Sequence, residues 1–143
     1  MMSIKTEHLK RCIQTLETSL RFYDQPDLGD VEREVYRNAV IKGFELTQET
    51  AFKLLKKALK IYGHKTRALD ATPAKDILRL AANHDLFSVE EVERWFGYRD
   101  NRNDTAHDYG EEFAQETLQL LPDFMRDVKS LNAKLDTLLK QQD

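Results

Sequence analysis

The densest set of side chains able to carry charge or move a proton is Arg102-Asn103-Asp104-Thr105-Ala106-His107-Asp108-Tyr109. Any chemistry in this chain is expected to centre there. On a helical wheel, Val92, Trp95 and Phe96 define an inward stripe that continues through Arg99, Arg102, Asn103, Ala106 and Tyr109. Two arginines and an asparagine thus fall where a core helix places Leu or Ile. Buried charges need partners, because desolvation costs several kcal/mol. Either the stripe leaves the core to line a cleft or interface, or these groups are paired inside. His107 shares a face with Asn103, and Arg102 shares one with Tyr109. Arg102 and His107 are about 140° apart on an ideal helix. They converge only if the helix end is distorted or a second copy supplies half of the site. The C-terminal helix dipole would favour a protonated imidazole at His107.

The elements that must position this stretch are all helical. Leu9, Ile13, Leu16 and Leu20 predict a first helix from about Lys5 to Tyr23. The cluster Asp24 to Asp30 is a turn, with Asp30 as a helix cap. From Val31 to Ile61 a wide apolar face runs through Val31, Val35, Ile41, Phe44, Phe52, Leu55 and Leu59. It predicts a long helix of roughly 45 Å that Gly63 stops. Thr72-Pro73 reads as a capping hydroxyl followed by proline in the first turn, starting a short helix with Ile77, Leu80 and Ala81 inward. Ser88-Val89-Glu90-Glu91 is a capping box for a fourth helix that runs to Tyr109 and stops at Gly110. A last helix begins near Glu111, lined by Phe113, Leu118, Leu121, Met125, Val128, Leu131, Leu135 and Leu138; Pro122 is expected to kink or break it. The expected fold is an all-α, up-and-down bundle of four or five helices, two of them long, in one domain over residues 1–143.

Composition agrees. Glycine and proline number only 5 and 3 in 143 residues, which disfavours strands and tight turns. An apolar share of 41% beside 33% charged residues reads as globular. The net charge of −3 is no footprint for general nucleic-acid binding, so RNA would need a local basic groove. Lys53, Lys56, Lys57 and Lys60 on one helical face, and Arg94, Arg99 and Arg102 near the motif, are the candidates. The lysine face reads more simply as a solvated helix surface. Cys12 alone excludes an intramolecular disulfide. No apolar run is long enough to span a membrane, and Met1-Met2-Ser3-Ile4-Lys5 lacks a signal peptide's apolar region, so the expected location is the cytoplasm.

The form R-N-x-x-x-H-x-Y at Arg102–Tyr109 resembles the signature of HEPN-domain proteins, specifically nucleotidyltransferase substrate-binding proteins and HepT-like toxins. Three other stretches resemble that family in order: Phe44-Glu45 through Glu49 to Lys53, Thr72-Pro73 through Ile77 to Arg79, and Glu90 to Trp95. The resemblance implies a homodimeric helical bundle whose partner, encoded nearby, is a minimal nucleotidyltransferase. In the toxin branch it implies metal-independent RNA cleavage. Arg102 would then steady phosphate charge, His107 would act as general acid or base, and Asn103 would position one of them. Tyr109 resembles the tyrosine that the partner modifies with AMP, and an anionic group there would repel substrate phosphate. Ala106 departs from the family, where Ser often precedes the histidine.

No phosphate-binding glycine loop or zinc-spaced Cys/His set is present, and no cofactor is expected. Glu45 and Glu49 sit one turn apart; Glu49 is expected to pair with Lys53. His8, His64 and His84 read as separate surface histidines. Three functions remain in view: an endoribonuclease toxin, a non-catalytic nucleotide- or substrate-binding subunit of the nucleotidyltransferase, and a purely structural dimerising bundle.

Overall fold

The computed structural model describes residues 6–104 and 111–142, apart from the side chains of 102–104, 111 and 141–142. The described residues form six helices: α1 (Glu7–Tyr23), α2 (Asp30–Ile61), α3 (Thr66–Asp70), α4 (Ala74–Asn83), α5 (Val89–Asp104) and α6 (Glu111–Gln142). The expected all-α bundle with two long helices is what forms, and the short α3 adds to the predicted set. Leu69, 1% exposed, is the anchor that docks α3.

α1 lies along α2, and the two approach closely at Gly43. A Cβ there would stand 3.1 Å from Leu16 Cδ1, so a side chain at this position would have to push Leu16 aside. α6 packs on α1, α2 and α5, while α4 bridges α2 and α5. At the centre, Phe44 of α2, Trp95 and Tyr98 of α5 and Phe124 of α6 form an edge-to-face aromatic cluster. Phe124 lies 4.7 Å from Phe44, 5.1 Å from Tyr98 and 5.6 Å from Trp95, between ring centroids. Such pairs contribute beyond their buried area, about 0.5–1.5 kcal/mol each.

Several local expectations need correction. Asp30 is the first residue of α2 and does not cap it; Gly29 holds that position, and its N–H donates to Glu32 Oε1 at 3.3 Å. Thr72 does not cap α4 either. Its hydroxyl donates back to the Ala68 carbonyl at 2.6 Å, closing the turn after α3, and Pro73 stands at the cap. In α4 the buried residues are Ile77, Leu78 and Ala81, with Leu80 only partly covered. Val31 and Val35 are exposed, because burial along α2 begins at Val40. α6 continues through Pro122. The hydrogen bond lost at proline is offset by buried Leu121 and Phe124 on either side.

The capping box of α5 forms as predicted. Ser88 N–H donates to Glu91 Oε1 at 3.0 Å, and Glu91 N–H donates to Ser88 Oγ at 3.1 Å. Lys134 Nζ reaches the same Glu91 oxygen at 3.4 Å. Burial would raise the Glu91 carboxyl, but the Ser88 amide and Lys134 outweigh it and hold the group below the usual carboxylate range. Among the described residues no helix is long and apolar enough to cross a membrane.

Candidate functional site

The last turns of α5 carry the beginning of the R-N-x-x-x-H-x-Y motif. Arg102 and Asn103 lie on the helical backbone of α5. His107 and Tyr109, the predicted acid–base and modification residues, lie outside the described residues, as does the predicted run of this helix to Gly110.

The inward stripe of α5 differs in phase from the one expected. Val92, Trp95, Tyr98 and Asn101 are buried, whereas Phe96 and Arg99 are half-buried on the flank. Trp95 and Phe96 are adjacent, so the local pattern allows two phases. Packing of Trp95 and Tyr98 against Phe124 selects between them.

Buried polar groups hold α5 just before Arg102. Gln48 of α2, fully buried, donates from Nε2 to the Tyr98 carbonyl at 3.2 Å. In the α-helical register that carbonyl also accepts the backbone N–H of Arg102. Gln48 Oε1 is buried without a hydrogen-bond partner. On the other side, Thr117 of α6 meets Asn101 Oδ1 at 3.2 Å, both residues being buried. Two turns earlier, Arg94 grips Asp127 of α6 with Nε and Nη2 at 2.7 and 2.8 Å, and the Tyr98 hydroxyl donates to the same carboxylate at 2.5 Å. Burial alone would raise the Asp127 carboxyl; the hydrogen bonds from Arg94 and Tyr98 outweigh it and hold the group below the usual range. Burial, then the bond to Asp127, pushes the Tyr98 phenol well above its ordinary value. Arg94 is therefore a structural clamp and no part of a free basic patch. Sequence reasoning missed this network, although Asp127 interrupts the apolar stripe Phe124, Val128, Leu131 and so carried a signal.

The predicted basic contacts divide into two groups. Lys53, Lys56 and Arg99 come together on one groove of about 290 Å3 between α2, α4 and α5, with Glu49 and Phe52 also on its wall. The Arg99 guanidinium lies over the Phe52 ring, 5.3 Å from its centroid. Lys56 also stands 3.7 Å from Asp70. Lys57 and Lys60 do not line the groove. Glu45, one turn before Glu49, stands 3.6 Å from Lys42. Among the described residues no group of three His, Cys, Asp or Glu side chains could hold a metal ion. His64 and His84 are not separate surface residues, since their Nε2 atoms meet at 3.0 Å.

Residues 4–137 match the family model described as nucleotidyltransferase substrate binding protein like. A Haemophilus influenzae protein named probable ribonuclease HepT is 31% identical over 100 residues, covering 67% of this chain and 67% of that protein. A solved Haemophilus influenzae structure, described as revealing the fold of a substrate binding domain of a nucleotidyltransferase, superposes with a TM-score of 0.80 at 25% identity. It covers 92% of this chain and 99% of that one. A crystal structure from Thermus thermophilus matches with a TM-score of 0.65 at 29% identity, over 87% of this chain and 98% of that one. The chain belongs to the nucleotidyltransferase substrate-binding protein-like family.

Proposed function

We propose that this protein is the HEPN-type partner of a minimal nucleotidyltransferase in a cytoplasmic toxin–antitoxin-like pair, acting as a metal-independent endoribonuclease. The observation that carries the reading is the R-N-x-x-x-H-x-Y sequence at the end of α5, in a chain 31% identical to a probable ribonuclease. In the reaction, the 2′-hydroxyl of RNA attacks the adjacent phosphorus and its proton passes to a base. The 5′-oxygen leaves with a proton from an acid, and a cyclic phosphate remains. His107 performs the proton transfers, Arg102 stabilises charge on the phosphate, and Asn103 orients them. Arg102 and His107 are five residues apart, so a homodimer cleft is the arrangement that lets both reach one phosphate. The groove gathers Lys53, Lys56 and Arg99 beside Glu49, with Arg99 one turn before Arg102 on α5, and gives RNA the local basic contacts that a net charge of −3 does not. AMP on Tyr109 adds an anionic group beside the site and silences it. The test is cleavage of RNA by the purified chain in EDTA. Activity is expected, and it is lost in His107→Ala with the fold intact; equal cleavage by that variant refutes the assignment.

A second reading draws on a different observation, the description of the family and of the TM-score 0.80 structure as nucleotidyltransferase substrate binding. There the cleft holds a nucleotide or other substrate for the partner enzyme and cleaves nothing. Intact mass of the chain co-expressed with its neighbouring gene product separates the two. AMP on Tyr109 supports the silenced toxin, and an unmodified tyrosine in a stable complex supports the binding subunit.

A further inference from the structure

Two helix ends at the other end of α5 are built alike. α2 closes with Gly63 N–H on the Lys60 carbonyl at 3.0 Å and His64 N–H on the Leu59 carbonyl at 3.2 Å. α4 closes with Asp85 N–H on the Ala82 carbonyl and Leu86 N–H on the Ala81 carbonyl, both at 3.0 Å. Each is a Schellman cap with its left-handed residue, Gly63 at φ 96° and Asp85 at φ 64°. The two caps put an imidazole on each side of one gap. His64 follows the first left-handed residue and His84 precedes the second. Their Nε2 atoms are 3.0 Å apart and the rings cross at 77°. Tyr62 stacks on His84 at 4.2 Å and 14°. Both histidines are half-buried.

We propose that His64 and His84 form a binding site for one borderline divalent transition-metal ion, of the class of Cu2+ or Zn2+. Neutral imidazole is a common ligand for these ions. Two imidazole nitrogens on one such ion, each about 2.0–2.1 Å from it, stand about 2.9–3.4 Å apart at angles of 90–109°. The observed separation lies inside that window, although the ring centroids, 5.2 Å apart, show the two nitrogens pointing at each other. Without metal, one Nε2–H donates to the other nitrogen, so that ring moves its proton to Nδ1 on binding and both rings swing to aim at the ion. The negative ends of two helix dipoles face the same gap and favour a cation there. Water completes the coordination. The ion cross-links the C-terminal ends of α2 and α4, two helices already packed together. α5 starts five residues after His84, and Arg102 lies about 20 Å along it from its first residue. The site is separate from the proposed RNA chemistry and does not depend on it.

The experiment is titration of the full chain with CuSO4, and separately with ZnCl2, followed by calorimetry and by thermal unfolding. One ion per chain is expected, with Cu2+ bound more tightly than Zn2+ and no uptake of Mg2+. At a hundredfold excess over Kd the Tm rises by roughly 5–10 °C. His64→Asn and His84→Asn each weaken binding at least about tenfold, whereas His8→Asn and His107→Ala, which remove other imidazoles, leave it unchanged. Equal binding by wild type and the His64→Asn/His84→Asn double variant overturns the proposal, as does no binding by wild type. Paramagnetic broadening by Cu2+ provides a readout on the unmutated chain. The His64, His84 and Tyr62 ring signals must broaden first, and broadening confined to His8 or His107 sinks the site.

Discussion

Arg94 and Asp127 face each other as a fork, with two hydrogen bonds of 2.7 and 2.8 Å joining α5 to α6 about two turns before Arg102. Asp127 is 2% exposed, so its charge is stable there only because the guanidinium and the Tyr98 hydroxyl both point at it. The register of the helix carrying the motif is thereby tied to α6. Asp127→Ala leaves a guanidinium and a buried phenol without their acceptor and is expected to cost about 3 kcal/mol. Urea denaturation measures it; a loss under about 1 kcal/mol would mean that the clamp is dispensable.

The same carboxylate sets a pH dependence. Asp127 and Glu91 both titrate lower in the folded chain than in the unfolded one. The folded state then binds fewer protons in acid. Their stabilisation is complete above the unfolded values, about 4, and is lost as pH falls through the lower folded values. Tyr98 is shifted upward, so its share is intact below about pH 10 and declines as pH rises above that. Unfolding free energies from pH 7 down to pH 2 should be flat at first and then fall, with a shallower fall in Asp127→Asn.

Gly43 tests the closeness of α1 and α2. A leucine there must displace Leu16, whose Cδ1 would stand 3.1 Å from the new Cβ alone. Overpacking of this kind costs about 1–3 kcal/mol, even though leucine favours a helix over glycine. A thermal melt of Gly43→Leu at unchanged or higher Tm would show that the contact yields easily.

Ser88→Ala removes the hydroxyl that accepts the Glu91 amide. The expected loss is about 1 kcal/mol, read by chemical denaturation. Glu91→Gln keeps much of the box geometry but loses the ionic partner of Lys134, and should cost less than Ser88→Ala.

The groove separates two lysines that the sequence treats alike. Lys53 lines it and Lys57 does not. If RNA follows the groove, Lys53→Glu weakens binding and lowers the salt slope by about 1, while Lys57→Glu changes neither. Filter binding across a salt series checks this, and equal effects of the two substitutions would remove the groove from the RNA path.

What the sequence by itself determined is the local part of this protein. Helix periods, the Ser88–Glu91 box, the stop at Gly63 and the proline-marked entry to α4 depend on residues within a turn or two of each other, so reading along the chain finds them. The motif at Arg102–Tyr109 is legible for the same reason, as a short run of types at fixed spacing. The tertiary structure decided everything that needs two helices at once. It chose Tyr98 and Asn101 over Phe96 and Arg99 as the inward face, because only the position of Phe124 on α6 breaks the tie between two phases on α5. It paired Asp127 with Arg94 across 33 residues, brought Gln48 to the Tyr98 carbonyl across 50, and set His64 against His84 across 20. It also set Lys53 and Lys56 of α2 on a groove that Lys57 and Lys60 do not line. Such contacts follow from how helices cross and how deeply each is buried, and helical periodicity, which repeats along one axis, holds no information about that.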